Sequence, residues 1–210
     1  AQKSKIAENG TVTHYPADDG EGLDAACDIG TTTVVCHLID GKTGEKLATV
    51  SEPSAQRSFG ADVLSRIQAA EAGKLEILKE QIIFQIAQML RTLQKKTGRG
   101  EQIQRLAVVG NTVMCHLFAG ISPVSIGVTP FMPQEFFGKE YTGEQLGLTD
   151  CRSVYIAPAV AGFVGGDITS DLLAVMQKKP KDKVLLLDIG TNGEMAVGNE
   201  DQIYCCATAG

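Results

Sequence analysis

The chain has 210 residues, of which 43% are hydrophobic and 21% charged, proportions that are ordinary for one large or two small globular domains. Its formal net charge of −6 argues against a nucleic-acid partner, which normally requires a basic surface. No segment is long and apolar enough to predict a membrane span, and the polar start AQKSKIAENG does not resemble a signal peptide, so a cytoplasmic protein is expected.

Six cysteines are spread along the chain and none belongs to a C-x-x-C pair, so neither a zinc site nor a thioredoxin-like site is indicated. The ligand spacing of plant-type ferredoxins is also absent. Most of the cysteines lie in apolar runs, which predicts buried, reduced thiols. Cys205 and Cys206 are adjacent in a predicted strand and face opposite sides, so at most one of them should be exposed.

Residues 1–23 are polar and rich in Gly, Asp and Glu, and we interpret them as a linker or the end of a preceding domain. The chain becomes apolar at Ala25. The segments ACDIG, TTTVVCHLID and EKLATV follow in order and predict three strands, with GKTG as the turn between the second and the third. The start of the chain is therefore predicted to form a β-meander.

Helical periodicity begins with GADVLSRIQAAEAG and continues in a longer helix from about Lys74 to Lys95. Six apolar residues of the longer helix recur at intervals of three and four and predict a core-facing stripe: Leu75, Leu78, Ile82, Ile86, Met89 and Leu93. RLAVVG then predicts a short strand. NTVMCHLFAG predicts a helix with Asn111 or Thr112 as its N-cap.

The segment from Ile121 to Asp150 contains three prolines and several glycines, and we expect it to be irregular. SVYIAPAVAG predicts a strand and a turn, and GGDITSDLLAVMQKK predicts a helix. KVLLLDIG, EMAVGN and QIYCCAT then repeat the strand–turn–strand–turn–strand order of the start. An internal duplication within an α/β protein accounts for both copies.

Each copy begins with a buried strand that ends in Asp-Ile-Gly-Thr, once at Asp28–Thr31 and again at Asp188–Thr191. The glycine allows a tight turn and close approach of a ligand, and the following backbone N–H groups can form an anion nest. The carboxylate repels phosphate, but it can hold Mg²⁺ through water, and Mg²⁺ bridges to phosphate oxygens. Two such turns facing each other would hold a polyphosphate from both sides. The paired turns of aspartic proteases do not fit, because Ile follows each Asp and no Gly comes directly after the Thr.

Paired Asp-x-Gly-Thr hairpins on two related α/β halves resemble the phosphate motifs of the actin, sugar-kinase and heat-shock-chaperone ATPase superfamily. Four segments look more narrowly like the reductive activators of corrinoid proteins: SFGADVLSRI, VVGNTVMCHLFAG, PAVAGFVGGDITSDLL and LLLDIGTNGEMAVGN. The similarity runs from about residue 25 to the end. It implies a ribonuclease-H-like, actin/hexokinase-type α/β fold that binds ATP and Mg²⁺. It also implies a protein that returns an inactive Co(II) corrinoid to Co(I) for a methyltransferase system.

The resemblance further implies a [2Fe–2S] domain in the parent protein, but the cysteines of that domain are missing from this chain. The chain also ends at CCATAG, before the segment that contacts adenosine in the superfamily. We therefore expect a fragment that is inactive alone. Residues 24–181 would form the first ATPase subdomain, and residues 182–210 the opening hairpin of a truncated second one. The expected partner is a corrinoid protein, and a homodimer is left open.

We assign Asp28 and Asp188 to water-mediated Mg²⁺ contact. The residues expected to face the phosphates follow them in the two turns: Gly30, Thr31, Thr32, Thr33, Gly190, Thr191, Asn192 and Gly193. Asp167 and Asn111 are the candidate catalytic residues, and for both of them a helix N-cap is the preferred role. Glu194 could accept a hydrogen bond from water, although a charge at a strand edge is preferred for it. His37 and His116 lie in apolar context, and we expect neither to be a ligand.

Two other functions stay open on the sequence. A small-molecule kinase of the same superfamily would need a catalytic base in a substrate pocket, for which Asp167 is the candidate. A non-catalytic scaffold or nucleotide sensor would bind ATP without turnover or would self-associate. The segments between the two hairpins favour the activator over both.

Overall fold

The computed structural model describes residues 22–208, so residues 1–21 of the predicted linker and the last two residues of the predicted second subdomain lie outside the described residues. Within this range the chain forms nine strands and five α-helices. The first strands are β1 (Leu23–Ile29), β2 (Thr33–Asp40) and β3 (Lys46–Pro53), which pair antiparallel in sequence order. The predicted β-meander is therefore confirmed.

Strand β1 buries every second side chain, as the two-residue period of a strand requires. Leu23, Cys27 and Ile29 are essentially inaccessible to solvent. Asp28 belongs to the other set of side chains and is accessible at the carboxyl end of the strand, although the surrounding protein still removes part of its hydration. The alternating side chains thus pack one face of the strand into the core, and the carboxylate of Asp28 lies on the other face.

Two helices follow the meander, α1 (Val63–Ala69) and α2 (Leu75–Thr97). Gly73 separates them in the left-handed region, at φ +81°, where glycine is favoured over other residues. Of the predicted stripe on α2, Leu75 is only partly buried and the other five side chains are fully buried. Each fully buried side chain of this kind stabilises the fold by roughly 1.5–3 kcal/mol.

The first sheet contains three more strands, β4 (Ile103–Val109), β5 (Lys139–Thr142) and β6 (Cys151–Ile156). Its order is β3-β2-β1-β4-β6-β5, with β1, β4 and β6 parallel at the centre. The carboxyl ends of these three strands lie at one edge of the sheet, which is where ligands of α/β proteins usually bind. Strand β1 therefore places Asp28 at this edge.

The remaining helices are α3 (Thr112–Ala119), α4 (Gly143–Leu146) and α5 (Gly166–Met176). The prediction that the whole segment from Ile121 to Asp150 is irregular is wrong at its end, because this part forms β5 and α4. Strand β5 is a short polar edge strand that pairs with β6 and is not recognisable by hydrophobic pattern. Thr142 and Gln145 form a capping box that starts α4, a signal visible in the sequence.

The end of the chain forms a separate sheet of β7 (Val184–Ile189), β8 (Gly193–Gly198) and β9 (Ile203–Thr208), paired antiparallel in sequence order. The predicted repetition of strand–turn–strand–turn–strand is confirmed. Helix α5 covers one face of this sheet, because Ile168 and Leu172 pack against Ala196. This cluster is small, whereas the core of the first sheet and its helices contains more than thirty buried hydrophobic residues.

The cysteines behave as predicted. Cys27, Cys36, Cys115 and Cys151 are buried free thiols, and burial raises the pKa of Cys151 to about 12. Cys206 is exposed and Cys205 only partly so. None of the helices in residues 22–208 has the length and apolarity needed to cross a membrane.

Candidate functional site

The two repeated turns meet each other directly. The hydroxyl of Thr32, in the turn between β1 and β2, lies 2.7 Å from the hydroxyl of Thr191, in the turn between β7 and β8. Asp28 and Asp188 occupy the same place in the two copies, one residue before the end of the strand that leads into each turn. The structure thus brings together two strand-end carboxylates and two turns that the chain separates widely.

The first turn is tight and is fixed from behind. A Cβ atom added to Gly30 would lie 2.4 Å from the carbonyl oxygen of Thr33, so only glycine fits here. Thr31 is buried, and its hydroxyl accepts a hydrogen bond of 3.0 Å from the side-chain amide of Asn111. The carbonyl oxygen of Thr32 accepts from the backbone N–H of Ser54 at 2.9 Å.

Arg66 also supports the first turn and was not identified from the sequence. This side chain of α1 is completely buried, and its guanidinium donates to the carbonyl oxygen of Thr31. Burial lowers the pKa of Arg66 to about 10, which still leaves it protonated at neutral pH. Its spacing from Val63 and Ile67 places it on the buried stripe of α1, and that is the signal that could have revealed it.

Asn111 joins the first turn to α3. It is the N-cap of that helix, since its side-chain oxygen accepts from the N–H of Met114 at 2.9 Å, so the predicted cap is confirmed. Its side-chain nitrogen is the donor to Thr31. The oxygen and the nitrogen of the Asn111 side chain therefore both make hydrogen bonds that hold local structure, and the residue lies beside the predicted phosphate turn.

Asp167 is not the N-cap of α5, the role that the sequence favoured for it. The N-cap of α5 is Gly165, and Asp167 is the second residue of the helix, where its carboxylate accepts from the N–H of Ile168 at 2.8 Å. The N-cap lies two residues earlier than predicted, and Gly165 packs against the start of α3. A Cβ atom there would lie 2.5 Å from the Cα of Asn111. The charges of Asp188 and Asp171 act on the carboxylate of Asp167, which therefore lies near these acids.

The acids at this place perturb one another. Burial and the charge of Asp167 raise the pKa of Asp28 to about 6. Burial and the charge of Asp188 raise the pKa of Asp167 to about 6, and burial also raises the pKa of Asp171. Raised pKa values of this kind are expected where carboxylates lie near other acids in partly desolvated surroundings, and they are often found at functional sites.

Glu194 is a further acid of the cleft, by which we mean the space between the two turns around Asp28, Asp167 and Asp188, and the preference for a strand-edge charge is wrong. It lies on β8, the central strand of its sheet, directly opposite Asp188 on β7, and only 8% of it is exposed. Burial, together with the charges of Asp167 and Asp188, raises its pKa to about 7. The alternation of β8 could have revealed this, because Ala196, two residues on, faces the same side and is buried.

The second turn is more open than the first. The N–H of Gly190 donates to the carbonyl oxygen of Asn192 at 2.9 Å, which closes the turn. An open concavity of about 360 Å³ runs along this hairpin; its lining is mainly apolar, with Leu187, Ile189 and Met195 beside Asp188 and Asn192, and it contains no residue of the first turn. The concavity leaves space for a ligand beside the turn.

The donor set of the cleft suits a hard divalent cation, because carboxylate oxygens are the ligands that Mg²⁺ prefers. Within residues 22–208 no three His, Cys, Asp or Glu side chains are close enough to form a metal cage by themselves. The residues present therefore fit a cation that several waters and a second ligand help to hold.

His37 and His116 do not belong to the cleft. His116 is buried, and its Nε2 accepts from the backbone N–H of Glu135 at 3.3 Å. Its Nδ1 must then carry the proton and donate to the carbonyl oxygen of Thr112 at 2.7 Å. His37 contacts the hydroxyl of Thr49 on the neighbouring strand. Both side chains hold local structure.

Two family models match the chain. The RACo middle region matches residues 23–179, and the C-terminal domain of RACo, the ASKHA domain, matches residues 182–210. The first match alone covers well over half of the chain. The chain belongs to the RACo family.

Two curated relatives of this RACo family member are named for corrinoid activation. The corrinoid activation enzyme RamQ of Eubacterium limosum is 34% identical over 97% of the chain. The Co(II) methylated amine-specific corrinoid protein reductase of Methanosarcina barkeri is 27% identical over 88% of it. The chain spans 35% of the length of each. The resemblance to reductive activators inferred from the sequence is confirmed.

Solved structures confirm the fold. A reductive activator for a corrinoid, iron–sulfur protein superposes with a TM-score of 0.85 at 36% identity, over 92% of this chain and 32% of that one. A 2-dehydro-3-deoxygalactonokinase from Sinorhizobium meliloti, described as putative, superposes with a TM-score of 0.51 at 14% identity, over 88% and 52% of the two chains. The second similarity shows the fold alone. The RACo chain has the ASKHA-type α/β fold that the repeated hairpins predicted.

Proposed function

We propose that this chain supplies part of the ATPase domain of a reductive activator that returns Co(II) corrinoid proteins to Co(I). The observation that carries the proposal is the direct contact between the two Asp-Ile-Gly-Thr turns, through Thr32 and Thr191. The contact shows that the two turns face each other, and two facing turns that each follow a strand-end carboxylate are the arrangement that a two-sided polyphosphate site requires. The family of the chain and the names of its relatives supply the reaction.

The phosphates of ATP would lie between the turns. Gly30, Thr31, Thr32 and Thr33 would face them from the first copy, and Gly190, Thr191, Asn192 and Gly193 from the second. Backbone N–H groups of such turns bind anions without adding further charge. The Thr32–Thr191 bond is exposed, so the two turns can separate when phosphate enters.

Asp28 and Asp188 would hold Mg²⁺ through water, with Asp167 beside them. Bound Mg²⁺ would neutralise charge on the phosphates and on the carboxylates, and the pKa values of Asp28 and Asp167 are raised in the ligand-free protein. Asp167 would orient water near the phosphates, and Asn111 would hold Thr31 in place. We place the division between the two ATPase subdomains at residues 181 and 182.

The electron would come from a [2Fe–2S] domain elsewhere in the full-length protein, and the partner would be a corrinoid protein of a methyltransferase system. Reduction of Co(II) to Co(I) is unfavourable for an ordinary iron–sulfur donor. Nucleotide-dependent movement of the two turns would change the complex with the corrinoid protein. A homodimer would allow two such sites in one particle.

Calorimetry with Mg-ATP on the full-length protein tests the phosphate site, with Asp188→Ala as the variant. We expect Mg-ATP affinity to fall at least tenfold, because the variant removes one of two carboxylates that hold the cation. Asp182→Ala, an exposed acid in the loop before β7, is the matched control and should bind as the parent does. Equal affinity in Asp188→Ala and the parent would make the second turn purely structural.

The same protein distinguishes the activity from its alternatives. Absorbance of the corrinoid should report ATP-dependent formation of Co(I) when an iron–sulfur reductant is present. Phosphoryl transfer to a sugar or an acid instead would favour a kinase. Binding of ATP with neither outcome would favour a nucleotide sensor.

A further inference from the structure

Arg66 is a buried cation that forms no ion pair among the described residues, and the charge of Asp62 acts on it only from beyond ion-pair distance. None of its side chain is exposed, and among the described residues no carboxylate lies within ion-pair distance of the guanidinium. Leaving a buried charge unpaired normally costs several kcal/mol. A residue that serves only for packing would be replaced at lower cost by an apolar side chain of similar volume.

The guanidinium instead connects four segments around the first turn. It donates to the carbonyl oxygens of Thr31 and Gly60, to the side-chain oxygen of Gln56, and toward the sulfur of Met114. The bond to Gln56 is 3.4 Å long, and Gln56 in turn donates to the carbonyl oxygen of Leu78 on α2 at 2.7 Å. Arg66 thereby links the turn to the rigid helices behind it.

The hydrogen bond from Arg66 to Thr31 fixes the orientation of the peptide unit that joins Thr31 to Thr32. The carbonyl oxygen of Thr31 points into the protein, because the guanidinium that binds it is fully buried. In a trans peptide the N–H of the next residue points the opposite way. The N–H of Thr32 therefore points away from the protein interior. Thr32 is itself exposed, and its hydroxyl contacts Thr191.

We propose that Arg66 is a positioning residue for phosphate binding, which holds the Thr31–Thr32 peptide so that the N–H of Thr32 faces the cleft as a donor. The inference rests on the proposed function, since it assumes that phosphate enters between the turns. A cation bonded to a carbonyl oxygen also polarises the peptide and strengthens its N–H as a donor. Arg66 thus acts on the phosphate through the backbone without touching it.

Arg66→Gln in the full-length protein tests the inference, because glutamine keeps a neutral donor and removes the charge. We expect a loss of roughly tenfold to a hundredfold in Mg-ATP affinity, the range of a hydrogen bond to a charged group. Adenosine has no phosphate, so its affinity should stay within about twofold of the parent. Arg57→Gln removes an exposed positive charge from the neighbouring turn of 3₁₀-helix, Ala55–Phe59, and should leave both affinities unchanged.

An NMR measurement provides a readout that a packing role would not move. In the ligand-free protein the amide proton of Thr32 should shift upfield in Arg66→Gln, because its peptide is less polarised. If Arg66→Gln does not fold, Arg66→Lys replaces it. Lysine keeps the charge but not the planar fork, and we expect a smaller loss of Mg-ATP affinity and a smaller shift.

The outcomes separate this inference from the function on which it rests. If the parent does not bind Mg-ATP, the proposed function is wrong and the inference falls with it. If the parent binds and the folded Arg66 variant binds Mg-ATP equally well with an unmoved Thr32 amide, only the inference is overturned. Equal losses for Mg-ATP and adenosine would also overturn it, because they would indicate a general disturbance of the fold.

Discussion

The acidic residues of the cleft come from distant parts of the chain and influence one another through their charges. Asp28, Asp167 and Glu194 come from β1, α5 and β8, and each has a pKa raised by burial and by the charge of at least one other acid. Their carboxylates repel one another in the ligand-free protein. Repulsion of this kind makes the cleft receptive to a cation, and it makes the stability of the protein depend on pH.

We predict that the protein without Mg²⁺ becomes less stable as pH rises. The pKa values of Asp28 and Asp167 lie at about 6 and that of Glu194 at about 7, all above their ordinary values. Between pH ~4 and these values the folded state therefore holds protons that the unfolded chain has released. The stability from these groups is complete below pH ~4 and is lost as pH rises through their folded-state pKa values.

Urea denaturation in EDTA should show the free energy of unfolding falling between pH 5 and pH 8. The Glu194→Gln variant should flatten the fall, whereas Glu200→Gln, an exposed residue of the loop after β8, should reproduce the parent. Added Mg²⁺ should restore stability at pH 8. A parent whose stability is unchanged from pH 5 to pH 8 in EDTA would contradict the coupling.

At the scale of elements, the site is built where helices begin close to strand ends. Helix α3 begins after β4, and α5 begins against it, with the N–H of Asp167 donating to the carbonyl oxygen of Gly110 at 3.3 Å. Gly165 allows this approach, since backbone atoms occupy the space that a side chain would need. This backbone contact brings the start of α5, with Asp167, beside Asn111 at the start of α3.

We predict that Gly165→Ala destabilises the protein and weakens nucleotide binding together. The added methyl group would lie about 2.5 Å from backbone atoms of α3, so one helix must move, at a cost of roughly 1–3 kcal/mol or more. Thermal denaturation and Mg-ATP calorimetry measure the two effects. Gly100→Ala is the control, because nothing lies within 4 Å of a methyl group there. Parent-like stability in Gly165→Ala would show that the contact is looser than described.

At the scale of the whole molecule, the cleft lies between two sheets whose hydrophobic cores differ greatly in size. The first sheet and its helices share an extensive core, whereas the second sheet is held by four buried residues with Leu186 and Cys205 beside them. The outer face of the second sheet carries exposed apolar side chains, among them Leu185, Leu187 and Tyr204. Local stability follows buried apolar contact, so the two sheets should open at different free energies.

We predict that amide hydrogen exchange will be faster in residues 184–208 than in β1 and β4, because the second sheet has the smaller core. Mass spectrometry of the full-length protein can compare these segments with and without Mg-ATP. Nucleotide should slow exchange in residues 184–198 and in the first turn, since a ligand between the turns ties both sheets together. Protection confined to one turn would contradict a two-sided site.

The sequence by itself was enough to predict most of the secondary structure and the repeated hairpins. Alternation and helical period predicted the three-stranded meander, α2 with its buried stripe, and the second copy of the meander, because these patterns depend only on which face of an element is buried. The repeated Asp-Ile-Gly-Thr turns predicted both the fold and the pairing of the two halves. Asn111 was recognisable as a cap from its place before an apolar helix.

Only the tertiary structure decided which other side chains belong to the cleft. Glu194 is buried because β8 is the central strand of its sheet, Asp167 lies within α5 because the N-cap is Gly165, which packs against α3, and Arg66 supports Thr31 from a helix more than thirty residues away along the chain. Each of these facts depends on contacts between elements that are distant in sequence. Local pattern records how a residue relates to its own helix or strand, but burial, charge coupling and hydrogen bonding are set by neighbours that only the folded chain brings near.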